Sequence, residues 1–291
     1  MDTYLSIQIS DQRPEPGLYL VPTPIGNRRD ISLRALDILA GCDWVACEDT
    51  RVTGQLLHFY GLSKKLIAYH EHNAAKQRPV LRDRLQAGQT GALVSDAGLP
   101  LIADPGFKLV QDCVTAGLYV TALPGANAGL TALQLSALPP APHLFLGFPP
   151  PKRTARRAFF GQWGEVTATL IYYEGVSRLG SSLQDALATL GERPAAVGRE
   201  LTKLYEETRR APLSELAAYY AEHGPPKGEC VVVIGPPANK ENVRWPEDRL
   251  CRELEALQAQ GLGRKEAAAR LADPSGWKKR DIYNLDGGKK P

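Results

Sequence analysis

Apolar positions in the chain follow two alternating patterns, which begin at Leu18. Short continuous apolar runs of strand length alternate with segments in which apolar residues recur every three or four positions, as in helices that cover a sheet. Five such strand–helix units predict a mostly parallel sheet with helices on its faces. The predicted strands are residues 18–21, 44–47, 66–69, 91–94 and 119–123, and the predicted helices include residues 31–39, 56–59, 80–85, 104–116 and the segment up to 137.

Prolines 139, 140 and 142 interrupt this pattern. Because proline fixes φ and cannot continue a helix, we interpret this segment as a linker. It separates an N-terminal α/β domain (18–138) from a second α/β domain (143–237), and a polar segment (1–17) precedes both. Less regular alternation favours a mixed sheet in the second domain, with predicted strands at residues 143–148, 169–173, 195–199 and 230–234 and predicted helices at residues 154–163, 179–190 and 213–220.

Residues 246–291 form a predicted C-terminal helical domain of three short helices. Residues 240–291 hold 12 Lys/Arg and 9 Asp/Glu, so the formal net charge of +3 lies entirely in this part of the chain. A basic stretch at Trp277–Arg280 opens the third helix, as in modules of the helix-turn-helix type. A small solvent-exposed helical cap is an equally good interpretation.

Composition narrows the class of protein. The chain has 291 residues, of which 43% are hydrophobic and 23% charged, as in soluble globular proteins. The polar start does not resemble a signal peptide, and no apolar run approaches the roughly 20 residues that span a bilayer. We expect the five cysteines, none in a CxxC pair, to be reduced thiols of a cytoplasmic protein, not disulfides or metal ligands.

Familiar catalytic and nucleotide-binding motifs are missing from the sequence. It contains no P-loop, no G-x-G-x-x-G after the first strand and no G-x-S-x-G elbow. His70, Glu71 and His72 come at the end of a predicted strand. Side chains alternate along a strand, so Glu71 would point away from the two histidines, and the three residues would not bind one metal ion together.

Five predicted strands of the first domain instead end in loops rich in Gly, Pro and polar residues: PTPIGN, EDTR, YHEHN, SDAG and LPGANAG. Each loop alone is consistent with ordinary turn chemistry. The carboxyl ends of parallel strands share one edge of the sheet, so together they predict a ligand crevice. Small residues there favour a ligand held largely by main chain, and a helix start near Asp104 would attract an anionic group such as a carboxylate.

Seven segments carry a resemblance to a known family, in its order and spacing: LYLVPTPIGNRRDISLRAL, ACEDTRVTGQLL, YHEHN, LVSDAGLPLIADPG, LPGANA, IYYEG and GRELTKLYEE. From Leu18 to about Pro237 the chain resembles the ribosomal small-subunit methyltransferase I family, of the tetrapyrrole-methylase fold. The resemblance implies S-adenosylmethionine bound between two α/β domains, 2′-O-methylation of a decoding-centre cytidine of 16S rRNA within the small ribosomal subunit, and a homodimer.

Site residues follow from matching these motifs to the chain. The resemblance implies cofactor contacts from Pro22, Ser95, Asp96, Gly98, Ile102, Pro124, Gly125, Ala126, Tyr172, Tyr173, Leu201 and Thr202. Candidate catalytic residues at strand ends are Glu48, Asp49, Arg51 and His70, although the EDTR segment is equally consistent with a structural helix cap. Basic residues expected to meet RNA phosphate are Arg28, Arg29, Lys152, Arg153, Arg156 and Arg157, with plain solvated surface as the alternative.

The chain departs from the usual family pattern at Leu99, Ala103, Asn127 and Ser177. Most of these changes remove a hydroxyl or an imidazole that could bind cofactor or RNA. Two alternative functions therefore stay open. One is a small-molecule methyltransferase, for example of tetrapyrroles, on the same fold; the other is a non-catalytic RNA-binding protein.

Overall fold

The computed structural model describes residues 9–10, 12–103, 105–237 and 244–285. Both predicted α/β domains belong to one compact unit, and residues 236–291, together with 164–167, form a second unit. The fold class agrees with the prediction from the sequence: a parallel five-stranded sheet, a mixed five-stranded sheet and a small helical unit.

The first sheet is wholly parallel and has the strand order β3-β2-β4-β1-β5. Its strands are β1 (Gly17–Val21), β2 (Trp44–Cys47), β3 (Leu66–Ala68), β4 (Thr90–Val94) and β5 (Val120–Ala122). Five helices connect them and lead on: α1 (Leu33–Gly41), α2 (Thr50–Phe59), α3 (Ala74–Gln86), α4 (Phe107–Thr115) and α5 (Ala128–Ser136). The order of elements confirms the predicted series of strand–helix units.

Two apolar clusters show how the helices cover this sheet. Ala35 and Leu39 of α1 and Leu57 of α2 pack on one face, whereas Leu81 of α3 and Leu109 of α4 pack on the other. The neighbouring strands β1 and β4 therefore send their following helices to opposite faces. This reversal opens a crevice at their carboxyl ends, which is where open α/β sheets bind ligands.

Several predicted boundaries in the first domain differ from the structure. Helix α3 begins at Ala74, whereas the prediction placed its start at residue 80. The first part of the helix is polar and carries no apolar repeat, so the sequence pattern did not reveal it. Helix α4 begins at Phe107 after Gly106, and the predicted helix start at Asp104 lies outside the described residues.

The second sheet is mixed, as predicted, with the order β6-β7-β10-β8-β9. Only the β6–β7 pair is parallel among its described neighbours. The elements are β6 (His143–Phe145), α6 (Arg153–Gly161), β7 (Thr169–Gly175), α7 (Leu179–Leu190), β8 (Pro194–Arg199), β9 (Glu207–Pro212), α8 (Leu213–Glu222) and β10 (Glu229–Ile234). Strand β9 was not predicted, because this edge strand has the polar sequence ETRRAP.

The two sheets meet through α5. Ala132 and Leu133 of α5 pack with Ile171 and Val233 of the second sheet, and Ile25 from the loop after β1 joins the same cluster. The loops at the carboxyl edge of the first sheet are thereby held against the second domain.

The second unit has its own core. Helices α9 (Glu247–Ala259), α10 (Arg264–Ser275) and α11 (Lys279–Tyr283) are packed around buried apolar side chains that include Leu250, Leu254 and Ile282. Trp277 lies before α11 and donates from Nε1 to the carbonyl of Trp245 at 2.8 Å. Within the predicted basic stretch, Trp277 therefore packs against the core of this unit. The three basic residues that follow it, Lys278, Lys279 and Arg280, are exposed.

All five cysteines carry free thiols. Four are buried, and burial raises the pKa of Cys42 and of Cys113 to about 11. Such thiols stay protonated at neutral pH and are poor nucleophiles.

Candidate active site

A cavity of about 360 Å³ lies between the carboxyl edge of the first sheet and the second domain. This volume is in the range of small-molecule sites, roughly 300–1,000 Å³. Its wall is mostly apolar or small, with a few polar groups. The lining residues are Ile25, Asp96, Ala97, Gly98, Leu99, Ile102, Ala103, Asn127, Ala128, Phe148, Tyr173, Glu174, Gly175, Leu201, Gly228, Glu229, Cys230 and Val231.

Hydrogen bonds fix the shape of the SDAG loop after β4. Thr23 and Gly98 exchange both of their backbone hydrogen bonds at 3.0 Å. The Ser95 hydroxyl donates to the Gly98 carbonyl at 2.9 Å, and the Thr23 hydroxyl donates to the Ser95 carbonyl at 3.0 Å. Gly98 adopts φ +83°, a conformation that glycine takes without strain. Ser95 is thus buried and used within the turn, while Asp96, Gly98 and Ile102 face the cavity.

The loops after β1 and β5 are packed against each other. A Cβ on Gly125 would lie 2.3 Å from Cγ of Pro22, so only glycine allows this contact. The resemblance assigned four residues of these loops to the cofactor, and none of them lines the cavity: Pro22, Pro124, Gly125 and Ala126. Asn127 and Ala128 line it instead, and the Asn127 side chain caps α5 by accepting from the Leu130 N–H at 2.8 Å.

Tyr172 and Tyr173 lie on opposite faces of β7. Tyr173 and Leu201 line the cavity, and the Gly129 N–H donates to the Tyr173 hydroxyl at 3.2 Å. Tyr172 is fully buried in the core beneath the other face, against Phe160. The Tyr172 side chain, which the resemblance assigned to the cofactor, therefore faces away from the cavity, since alternate residues of a strand point to opposite sides. Thr202 accepts from the Asn27 N–H at 2.9 Å and joins the two domains beside the cavity.

The candidate catalytic residues lie outside the cavity lining. Asp49 is the N-cap of α2: its carboxylate accepts from the Arg51 N–H at 2.8 Å and pairs with the Arg51 guanidinium at 2.7 Å. Hydrogen bonds from Arg51 lower the pKa of Asp49 to about 2. The geometry is that of the structural cap, and such a carboxylate is a weak base. Glu48 is exposed at the same strand end.

Two contacts place the remaining catalytic candidates relative to the cavity. The Asp49 N–H donates to the Asp96 carboxylate at 3.2 Å, so the EDTR loop supports a cavity residue without lining the cavity. His70 follows the edge strand β3, two strands away from β4. Only three of the five predicted loops, those after β1, β4 and β5, contribute to the lining.

The cap at Asp49 predicts a pH-dependent contribution to stability. Its pKa lies below the ordinary value of 3.8, so the stabilising ionised form is present above about pH 4 and is lost as the pH falls towards 2. We expect Asp49→Ala to lower Tm by a few degrees at pH 7, and the difference to shrink between pH 4 and pH 2. Thermal unfolding followed by circular dichroism measures it. A difference that stays constant down to pH 2 would argue against the ionised cap.

The predicted RNA-binding residues differ in their surroundings. Arg28, Arg29, Lys152 and Arg153 are exposed, and the Arg28 guanidinium lies 4.4 Å from the centre of the Phe59 ring. Arg156, which was also predicted to meet RNA phosphate, is instead buried and bound to Asp185. Arg157 is partly exposed and also contacts Asp185.

Within the described residues, no group of three or more His, Cys, Asp or Glu side chains is placed to hold a metal ion. None of the helices in this part of the chain is both long and apolar enough to span a membrane.

Comparison with known proteins assigns the chain to a family. Residues 17–217 match the sequence model of the tetrapyrrole (corrin/porphyrin) methylases. The chain is 47% identical over 270 residues to the ribosomal RNA small subunit methyltransferase I of Mesorhizobium japonicum, covering 92% of this chain and 90% of that protein. It belongs to the ribosomal RNA small subunit methyltransferase I family. Relatives of this name from Halalkalibacterium halodurans and Escherichia coli O157:H7 are 42% and 45% identical, over 96% and 91% of this chain and 97% and 93% of theirs.

Solved structures show the fold of this ribosomal RNA small subunit methyltransferase I family member. A uroporphyrin-III-C-methyltransferase from Thermus thermophilus matches with a TM-score of 0.55 at 19% identity, covering 76% of this chain and 94% of that one. A Thermus thermophilus uroporphyrin-III C-methyl transferase complexed with S-adenyl homocysteine matches with a TM-score of 0.53 at 19% identity, over 75% and 97%. The expected tetrapyrrole-methylase fold is confirmed.

Proposed function

We propose that the protein transfers a methyl group from S-adenosylmethionine to the ribose 2′-oxygen of a cytidine in the decoding centre of 16S rRNA. The observation that carries the proposal is the cavity between the two α/β domains of a chain that belongs to this family. The relatives' name supports methylation of small-subunit ribosomal RNA. The motif resemblance supports the finer choice of cytidine and 2′-oxygen.

The cavity suits S-adenosylmethionine in size and chemistry. Its 360 Å³ and its apolar wall of Ile25, Ile102 and Leu201 fit an adenosine group, and a fold relative is named as a complex with S-adenyl homocysteine. The Asp96 carboxylate is the acidic group that the first domain contributes to the lining, which suits a positively charged ligand group. Main chain of the Gly98 loop and of Ala128 offers close approach, because these residues carry little side chain.

When bound, S-adenosylmethionine supplies an electrophilic methyl group to an acceptor oxygen. The protein's part is positioning: Tyr173 lies within β7, Asn127 caps α5 and Asp96 follows β4, and together they would fix cofactor and acceptor in one line. The hydrogen bond between Asn27 and Thr202 holds the two domains together beside the cavity and so keeps this alignment.

A ribose hydroxyl is a weak acid, so a proton acceptor would assist the transfer. Asp49 is a poor candidate for this proton acceptor, because its hydrogen bonds to Arg51 lower its pKa to about 2. Its main-chain bond to Asp96 gives the EDTR loop a supporting role. We retain Glu48 and His70 as candidates for the acceptor and Arg51 as a candidate phosphate clamp.

The proposal includes rRNA of the small ribosomal subunit as partner and a homodimer. Exposed large apolar side chains support the homodimer, because such side chains often mark a protein–protein contact. Phe107, Val114 and Leu204 are all strongly exposed. The exposed basic residues of the loop after β1 and of α6 support the RNA contact.

Methyl transfer to assembled small subunits tests the proposed function. We expect label from methyl-labelled S-adenosylmethionine to enter 16S rRNA in small subunits from cells that lack the gene. Subunits from cells with the gene, already methylated, are the control and should take up little label. Label on a tetrapyrrole substrate would favour the small-molecule alternative. Small-subunit binding without cofactor binding would favour a non-catalytic protein, for which the missing hydroxyls at Leu99 and Ala103 in the cavity wall would be the reason.

A further inference from the structure

Three arginines of α6 meet one buried carboxylate of α7. Arg156 binds Asp185 twice, from Nε at 3.0 Å and from Nη2 at 2.7 Å. Arg153 and Arg157 donate to the other carboxylate oxygen, each through Nε, at 3.3 and 2.7 Å. The Asp185 side chain is 3% exposed and that of Arg156 is 4% exposed. The centre of this cluster is therefore closed to solvent.

The cluster carries more positive charge than its carboxylate neutralises. Burial disfavours ionisation of Asp185, but hydrogen bonds from Arg157 and Arg156 outweigh it, and the pKa of Asp185 is lowered. Asp185 is therefore ionised at neutral pH. Three guanidinium groups against one carboxylate leave two positive charges uncompensated among these four side chains.

The excess charge lies on the outer two arginines. Arg153 is 73% exposed and Arg157 is 41% exposed, whereas Arg156 is buried. Because both outer residues bind Asp185 through Nε, the terminal Nη groups of their guanidiniums remain for an acceptor outside the cluster. Guanidinium groups held in place in this way match the oxygen geometry of a phosphate.

Two connections tie the cluster to the cavity wall. Phe148 lines the cavity and leads along the chain to Pro151, whose carbonyl accepts from Nη1 of Arg156 at 3.2 Å. On the other side, Arg156 donates to the Ser181 hydroxyl at 3.3 Å, and Ser181 donates to the carbonyl of Arg178. Arg178 in turn binds Glu174 of the cavity wall at 2.8 Å.

We propose that Asp185 is a positioning residue that presents Arg153 and Arg157 as a clamp for one backbone phosphate of the RNA beside the cavity. The proposal rests on the proposed function, because it takes RNA as the substrate. In this arrangement Arg156 binds Asp185 and holds it in place, and does not itself contact RNA. This role explains why one arginine of a basic surface segment is buried.

Single substitutions of the outer arginines test the clamp. We expect Arg153→Gln and Arg157→Gln each to weaken binding to small ribosomal subunits roughly tenfold, and to reduce the salt slope of log K by about 1. Lys65→Gln is the matched control: it removes one exposed positive charge from the first domain and should change affinity no more than about twofold. S-adenosylmethionine affinity, measured by calorimetry, should stay unchanged in all three variants. Arginine variants that bind small subunits like the Lys65 control would overturn the proposal.

Asp185→Asn separates positioning from net charge. This variant gains one positive charge, so attraction by net charge alone would tighten RNA binding. The clamp predicts the reverse, roughly tenfold weaker binding with unchanged cofactor affinity, because the outer guanidiniums lose their anchor. Tighter binding by a folded Asp185→Asn protein would overturn the positioning role. If this variant does not fold, the arginine substitutions still decide the proposal. Failure of the wild-type protein to bind small subunits would instead contradict the proposed function.

Discussion

Replacing Gly98 with valine is expected to abolish S-adenosylmethionine binding while the protein remains folded. Gly98 lines the cavity at φ +83°, which a β-branched residue adopts only with strain. A Cβ there would lie 3.3 Å from Cγ2 of Ile25 and 3.4 Å from the Ala126 carbonyl. The two further methyl groups of valine would have to enter the cavity or displace the loops after β1 and β5. We expect affinity to fall at least about a hundredfold, equivalent to about 3 kcal/mol.

Gly88→Val is the control for backbone strain alone. Gly88 has φ +78°, close to that of Gly98, but a Cβ there meets no atom within 4 Å. It precedes β4 at the amino end of the strand, away from the cavity lining. This variant should lose stability to a similar extent and keep wild-type cofactor affinity by calorimetry. Wild-type affinity in a folded Gly98→Val protein would remove the SDAG loop from the cofactor site.

Methylation should depend strongly on the form of the RNA. The cavity lies between two α/β domains, and a regular duplex is too broad to bring a ribose to the bottom of such a site. We therefore expect an unpaired or extruded target nucleotide whose neighbours are presented by the folded small subunit. Assembled subunits should be methylated well, and short single strands or perfect duplexes of the same sequence poorly. A target with 2′-deoxyribose should accept no methyl group, because the accepting oxygen is absent.

Transfer of labelled methyl to each RNA form measures this preference. The ribose target and its 2′-deoxy counterpart differ in one oxygen and form a matched pair. Efficient labelling of the perfect duplex would show that the cavity admits a helix and that the proposed approach of the RNA is wrong. Labelling of the deoxy target would show that the acceptor is another atom.

Much of the fold could be predicted because burial determines the sequence pattern directly. Strand β2 and helix α7 have the predicted bounds: Trp44–Cys47 is a continuous apolar run, and Leu179–Leu190 repeats its apolar residues at helical spacing. Strand β9 could not be found in this way, because an edge strand with no fully buried residue needs no apolar pattern. The existence of a crevice followed from the strand ends, since parallel strands share an edge.

The individual site residues were harder to predict, because tertiary packing decides which side chains reach the cavity. Adjacent tyrosines 172 and 173 look alike in the sequence, yet strand alternation buries one and exposes the other to the cavity. Arg156 lies in a basic run of the sequence and looks like a surface residue there. Its buried partner Asp185 is 29 residues away in the chain, so the ion pair could not be predicted from the local sequence. Asn127 was noticed only as a departure from the family pattern, although N-cap preference was a signal for its place at the start of α5.

Mapping the transferred methyl group decides whether the protein methylates the 2′-oxygen of a decoding-centre cytidine. Small subunits from cells without the gene are incubated with the protein and S-adenosylmethionine, and the nucleosides of their 16S rRNA are then located by nuclease digestion and mass spectrometry. The proposed function predicts one new 2′-O-methylcytidine, in the decoding centre, which is also present in cells that carry the gene and absent from cells that lack it. A new methyl group on a base atom, or on a ribose outside the decoding centre, would contradict it.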